Sequence, residues 1–129
     1  NQRIEIYKKI AAVEDEADAS EVMDELIDRF GDVPKAVSNL VWIAQIKAIA
    51  RKLGIYEINA KKGRVDFHFN EDGLDAGTVL ELIAKFPKEL VVGASQKPVL
   101  TYKNTDEPKL LPNIKFILQT VLELKKPEK

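Results

Sequence analysis

Apolar residues recur at helical spacing through the first part of the chain and then switch to a period of two. Ile4, Tyr7, Ile10 and Ala11 predict a first helix, which the acidic stretch Glu14-Asp15-Glu16 interrupts. A second helix is expected from Asp18, which forms a capping-box-like pair with Glu21, and its expected buried stripe is Val22, Met23, Leu26, Ile27 and Phe30. Gly31 stops it, because glycine accepts the left-handed conformation of a helix C-terminus. Pro34 suits the first turn of a third helix, where a missing N–H costs nothing, and that helix should run to Leu53 before Gly54. Its apolar residues, from Val37 to Leu53, cover most of the circumference, so neighbours are expected on more than one side. Trp42 on such a helix reads as core more readily than as an interface anchor.

The period-two segment Ile55–Ala60 and the segment Val65–Phe69 flank Lys61-Lys62-Gly63-Arg64, which predicts a β-hairpin with a glycine turn. Val65, Phe67 and Phe69 should pack while the alternate residues face water. Asp75 is expected to cap a fourth helix that buries Val79, Leu82, Ile83 and Phe86 and closes at Pro87. Leu90-Val91-Val92 and Val99–Tyr102 read as short strands. A last helix, entered through Pro108 or Pro112, carries Leu111, Ile114, Ile117, Leu118, Val121 and Leu122 and ends in Lys125-Lys126. The expected fold class is α+β: N-terminal helices plus a small, mostly antiparallel sheet with covering helices on one side. Residues 1–129 read as a single domain, with 1–53 helical and 54–129 mixed α/β as a subdivision the pattern allows.

Composition narrows the function classes. A chain of 129 residues with 45% hydrophobic and 32% charged residues has enough apolar material for one core. Cysteine is absent, which removes disulfide frameworks and thiolate metal sites and suits a reducing compartment. No run approaches a membrane span, and Asn1-Gln2-Arg3-Ile4 lacks a signal-peptide pattern, so a soluble cytoplasmic chain is expected. The lack of an initiator Met points to a piece of a longer polypeptide. A net charge of -1 supplies no global attraction to nucleic acid.

The search for chemistry returns few candidates. The glycines never stand in a phosphate-loop arrangement, and the single histidine, His68, is expected on the solvent side of a strand. Asp72-Gly73-Leu74-Asp75 lacks the rest of a calcium loop and reads as a helix cap. No catalytic, cofactor-binding or metal-ligating residue is identified. Lys61, Lys62 and Arg64, joined by Arg51-Lys52, form the one candidate nucleic-acid patch, although lysines commonly cap exposed hairpins. On the second helix Glu25, Asp28 and Arg29, at i, i+3 and i+4, share one exposed face, either as a helix-stabilising pair or as an interface.

The stretch Asp24-Glu25-Leu26-Ile27-Asp28-Arg29-Phe30-Gly31-Asp32-Val33-Pro34, the helix Asn39–Ala44, Lys52-Leu53-Gly54-Ile55 and Ile6–Ile10 together resemble the C-terminal domain of the bacterial transcription-repair coupling factor. The resemblance implies a fragment of an ATP-dependent DNA translocase that releases stalled RNA polymerase and recruits UvrA for nucleotide excision repair. The motor, with its ATP and Mg, lies outside this chain, which takes no cofactor. The implied partner is the N-terminal UvrA-binding module of the same protein, and through it UvrA and RNA polymerase; DNA is met by the motor, and no membrane is involved. The implied contact residues are Glu25, Asp28 and Arg29, masking the UvrA site until polymerase is engaged. A nucleic-acid-binding module using the basic hairpin is the alternative.

Overall fold

A computed structural model describes residues 2–93, 95–103 and 109–125 of the chain. Pro108 and Lys126, named above as ends of the last helix, lie outside the described residues. The elements run α1 (Gln2–Ala11), α2 (Glu16–Phe30), α3 (Lys35–Leu53), β1 (Ile55–Lys61), β2 (Arg64–Phe69), α4 (Ala76–Lys85), β3 (Leu90–Gly93), β4 (Val99–Lys103) and α5 (Leu110–Lys125). The architecture is α+β, as the pattern predicts. Two compact units form, Asn1–Ile49 and Ala50–Lys129.

The first unit is held by a cluster of Ile6, Ile10, Val13, Ala19, Leu26 and Val41, against which Val22, Met23, Val33, Val37 and Ala44 pack. Of the expected residues of α1 only Ile10 is buried, joined by Ile6 and, just past the helix end, Val13. Ile4 and Tyr7 are about half exposed, and Ala11 is exposed as well. Two sets of residues on α1 have helical spacing, and the set that continues past the helix end to Val13 reaches the core. On α2, likewise, Ala19 and Leu26 are buried while Ile27 and Phe30, expected inside, remain 52% and 54% exposed. Ile27 lies about 100° around the helix from Leu26, and the face through Ala19 and Leu26 is the one that packs.

The start of α2 also differs from expectation. Asp15 is the N-cap, its carboxylate accepting the Asp18 N–H at 2.8 Å, and Asp18 reaches back to accept the Glu14 N–H at 3.1 Å. The box is therefore Asp15 with Asp18, one turn earlier than Asp18 with Glu21. Gly31 ends the helix at φ +75°, donating its N–H to the Ile27 carbonyl. Pro34 directly precedes α3, and its carbonyl takes the Val37 and Ser38 N–H groups. Val41, Gln45, Ile46, Ala48, Ile49, Ala50 and Leu53 are buried, a wide arc that fits the near-continuous apolar pattern of α3, and Trp42 is half-buried.

In the second unit β1 and β2 form the predicted hairpin, with Lys61 paired to Arg64 across Lys62-Gly63 and Gly63 at φ +80°. The sheet has four strands in the order β1-β2-β4-β3, every pair antiparallel. Val65, Phe67 and Phe69 are buried, and the register opposes Val65 to Tyr102 and Phe67 to Leu100, both buried too. The alternate residues of β2 are drier than expected: Asp66 is 7% exposed and His68 half-buried. Asp75 caps α4, accepting from the Thr78 N–H at 3.2 Å and the Thr78 hydroxyl at 2.7 Å. Leu82 is fully buried, whereas Ile83 is 39% exposed, so it drops out of the expected stripe. On α5, Ile114, Ile117, Leu118 and Val121 are buried, Pro112 falls in the first turn, and Phe116 meets Phe86 edge-on at 6.1 Å.

Candidate interaction surface on the second helix

The polar side of α2 is built by the same periodicity that buries Ala19 and Leu26. Asp28 and Arg29 are exposed, and the Glu25 side chain retains 30% exposure. Glu25 is engaged from two directions. Lys9, on α1, donates to both carboxylate oxygens at 3.0 and 2.8 Å, and Arg29 Nη2, one turn ahead on α2, lies 3.2 Å from Oε2. The Lys9 hydrogen bond, reinforced by the charges of Lys9 and Arg29 and opposed by partial desolvation, holds the Glu25 carboxyl below the usual glutamate range. Exposed pairs of this kind add little to stability, so their main effect is to fix where the charges point. Beside the pair, a shallow cleft of about 300 Å³ between α1 and α2 is edged by Asp18, Glu21, Glu25 and Lys9.

The Glu25–Arg29 pair was foreseeable from i, i+4 spacing. Lys9 was not: it stands 16 residues from Glu25, and no local pattern says which flank of α1 meets α2.

The other candidates are placed as follows. Lys61 Nζ and Arg64 Nη2 lie 3.8 and 3.6 Å from Oδ2 of Asp66, whose other oxygen accepts the Thr101 hydroxyl at 2.8 Å. Two of the three hairpin cations thus lean on one buried carboxylate, while Lys62 is exposed at the turn, as are Arg51 and Lys52 in the last turn of α3. Sequence reasoning missed Asp66; its place in the alternation assigned it to solvent. His68, also expected in solvent, sits 5.9 Å from the Tyr56 ring and 3.4 Å from the Asn59 amide. Lys97 lies 5.2 Å over the same tyrosine. Asp75 is engaged as a cap. Among the described residues no group of three or more His, Asp or Glu side chains gathers to hold a metal, and no helix is long and apolar enough to cross a membrane.

Fold and surface together define a small α+β protein, a helical unit followed by a four-stranded antiparallel sheet with helices, in which an exposed ion-pair group links α1 to α2. The same fold occurs in a crystal structure of the C-terminal domain of transcription-repair coupling factor, with a TM-score of 0.83 at 24% identity, covering 99% of this chain and 83% of that one. The TRCF domain family matches residues 1–77, and the chain belongs to that family. Among curated relatives, the transcription-repair-coupling factor of Staphylococcus aureus (strain USA300) is 31% identical over 124 residues, 94% of this chain. That of Borreliella burgdorferi is 27% identical over 126 residues, 95% of this chain. The chain spans only about a tenth of either relative, 10% and 11% respectively.

Proposed function

We propose that this chain is the C-terminal regulatory interaction domain of a bacterial transcription-repair coupling factor and that it works as a latch. Docked through the polar face of α2 on the N-terminal UvrA-binding module of the same protein, it masks the UvrA site. Engagement of RNA polymerase releases it, freeing that site for nucleotide excision repair. On this reading the ATP-dependent DNA translocase, with its ATP and Mg, belongs to the rest of the longer protein in the bacterial cytoplasm, and this chain catalyses nothing itself.

The observation that carries the reading is the family match joined to a surface position for Glu25, Asp28 and Arg29, outside the core of the first unit. An acidic pair beside an arginine on a helix face suits a contact that must be specific and yet open: such charges fix register and partner choice more than raw affinity. A competing partner then shifts the balance between closed and open states by its own preference for one of them.

The test is a titration of this chain against the N-terminal UvrA-binding module at two salt concentrations, with Glu25→Ala/Asp28→Ala/Arg29→Ala alongside. Salt-sensitive binding that the triple variant loses is the expected result. Equal binding by both proteins, or none even when the modules are tethered, would overturn the latch.

A further inference from the structure

We propose that Lys9, on α1, is a positioning residue of this surface: it occupies Glu25 and, through it, aims Arg29, leaving Arg29 and Asp28 as the groups that meet a partner. The inference rests on the docking reading above and adds a division of labour among its residues.

The geometry gives Glu25 an internal task. Its Oε2 is shared by Lys9 at 2.8 Å and Arg29 at 3.2 Å, and its Oε1 takes Lys9 again at 3.0 Å. One negative charge is thereby flanked by two positive ones, so the trio presents a net cation to its surroundings. Asp28, exposed on the same face, has no ion-pair partner among the described residues. A partner therefore meets an ordered cation beside a free carboxylate. The chemistry that fits is an acidic side chain set against the guanidinium, whose fork has N–H donors to spare, and a lysine or arginine set against Asp28.

The α1 backbone that carries Lys9 is anchored, while the lysine side chain is half exposed. Its neighbours on α1, Ile6 and Ile10, are buried in the core of the first unit. Lys9 and Glu25 line a narrow cleft together with the apolar side chains of Ile6, Val22 and Leu26. The lysine stem thus covers apolar surface while its ammonium group reaches the carboxylate. The surface is assembled from two helices, and α2 alone does not present it.

The same titration tests this with Lys9→Met, Lys9→Arg, Glu25→Gln and the double variant Lys9→Met/Glu25→Gln. Thermal melts confirm that each is folded at the temperature used. Lys9→Met and Glu25→Gln should each weaken binding by about two- to fivefold, the scale of a single exposed ion pair. Because both act through one contact, the double variant should be no worse than either single one, and Lys9→Arg should bind like wild type. Carbon-detected NMR titration of the Glu25 carboxyl should show it rising toward the ordinary glutamate range in Lys9→Met. Wild-type binding by Lys9→Met, or losses that multiply in the double variant, would overturn the assignment. If Asp28→Asn and Arg29→Gln also bind like wild type, the docking reading itself fails and takes this one with it.

Discussion

Single residues in this domain are placed by short-range hydrogen bonds whose consequences are measurable. Asp75 accepts from both the backbone and the hydroxyl of Thr78, and these bonds, with a contribution from the Lys125 charge, hold its carboxyl below the usual aspartate range. Glu25 is lowered as well, chiefly by Lys9. A carboxylate whose folded pKa is depressed stabilises the fold above its unfolded pKa, and that contribution is lost as pH falls through the folded value. Stability should therefore drop as pH is lowered from about 4. Denaturant unfolding across that range should show a shallower acid limb for Asp75→Asn, because an amide still caps the helix but does not titrate. An unchanged slope would mean that Asp75 titrates alike folded and unfolded. His68 and Asp66 show how much neighbours matter at this scale. Both occupy positions that alternation assigns to water, yet Asn59 and Tyr56 enclose one and Thr101, Lys61 and Arg64 enclose the other.

At the level of elements, the helices of the first unit each offered more apolar surface than the core uses. On α1, Ile6, Ile10 and Val13 are buried and Ile4 and Tyr7 are not, although both sets keep helical spacing. Ile6→Ala should cost about 2–5 kcal/mol, the usual range for emptying a buried aliphatic site. Tyr7→Ala should stay within about 0.5 kcal/mol, as exposed substitutions do. Equilibrium unfolding of the two variants decides between the faces, and the reverse ranking would put the expected stripe back in the core. The shifted cap of α2 has the same origin: both Asp15/Asp18 and Asp18/Glu21 have cap spacing, and the chain uses the pair that starts the helix a turn sooner. The β1–β2 hairpin, by contrast, follows the sequence closely, because Lys62-Gly63 makes a two-residue turn and Gly63 supplies its positive φ.

For the whole molecule, two surfaces compete for a function, and the structure treats their charges differently. The hairpin cations Lys61 and Arg64 share the buried Asp66 and Arg29 is paired with Glu25, whereas Asp28 stands on an exposed helix face with no ion-pair partner among the described residues. Neutralising Lys61, Lys62 and Arg64 together should therefore leave the titration with the UvrA-binding module unchanged. A single-stranded oligonucleotide titrated in parallel covers the other reading: salt-sensitive binding lost in that variant would move the function to the hairpin. The exposed position of Asp28 was legible in the sequence because it lies on the side of α2 opposite Leu26, and that of Arg29 because it follows Glu25 by one turn at the edge of the buried stripe. Lys9 was not, since pairing α1 to α2 through it depends on which stripe α1 buries. The sequence by itself determined the α+β class, the described helices and strands, the glycine stops and the glycine turn of the hairpin. Each of these is decided within a few residues by period, capping and backbone dihedral preference. Only the tertiary structure decided the strand order β1-β2-β4-β3, the choice of buried faces on α1 and α2, the burial of Asp66 and the Lys9–Glu25 pair. In each of those cases several local solutions were nearly equivalent, and contacts between residues far apart in the chain selected one.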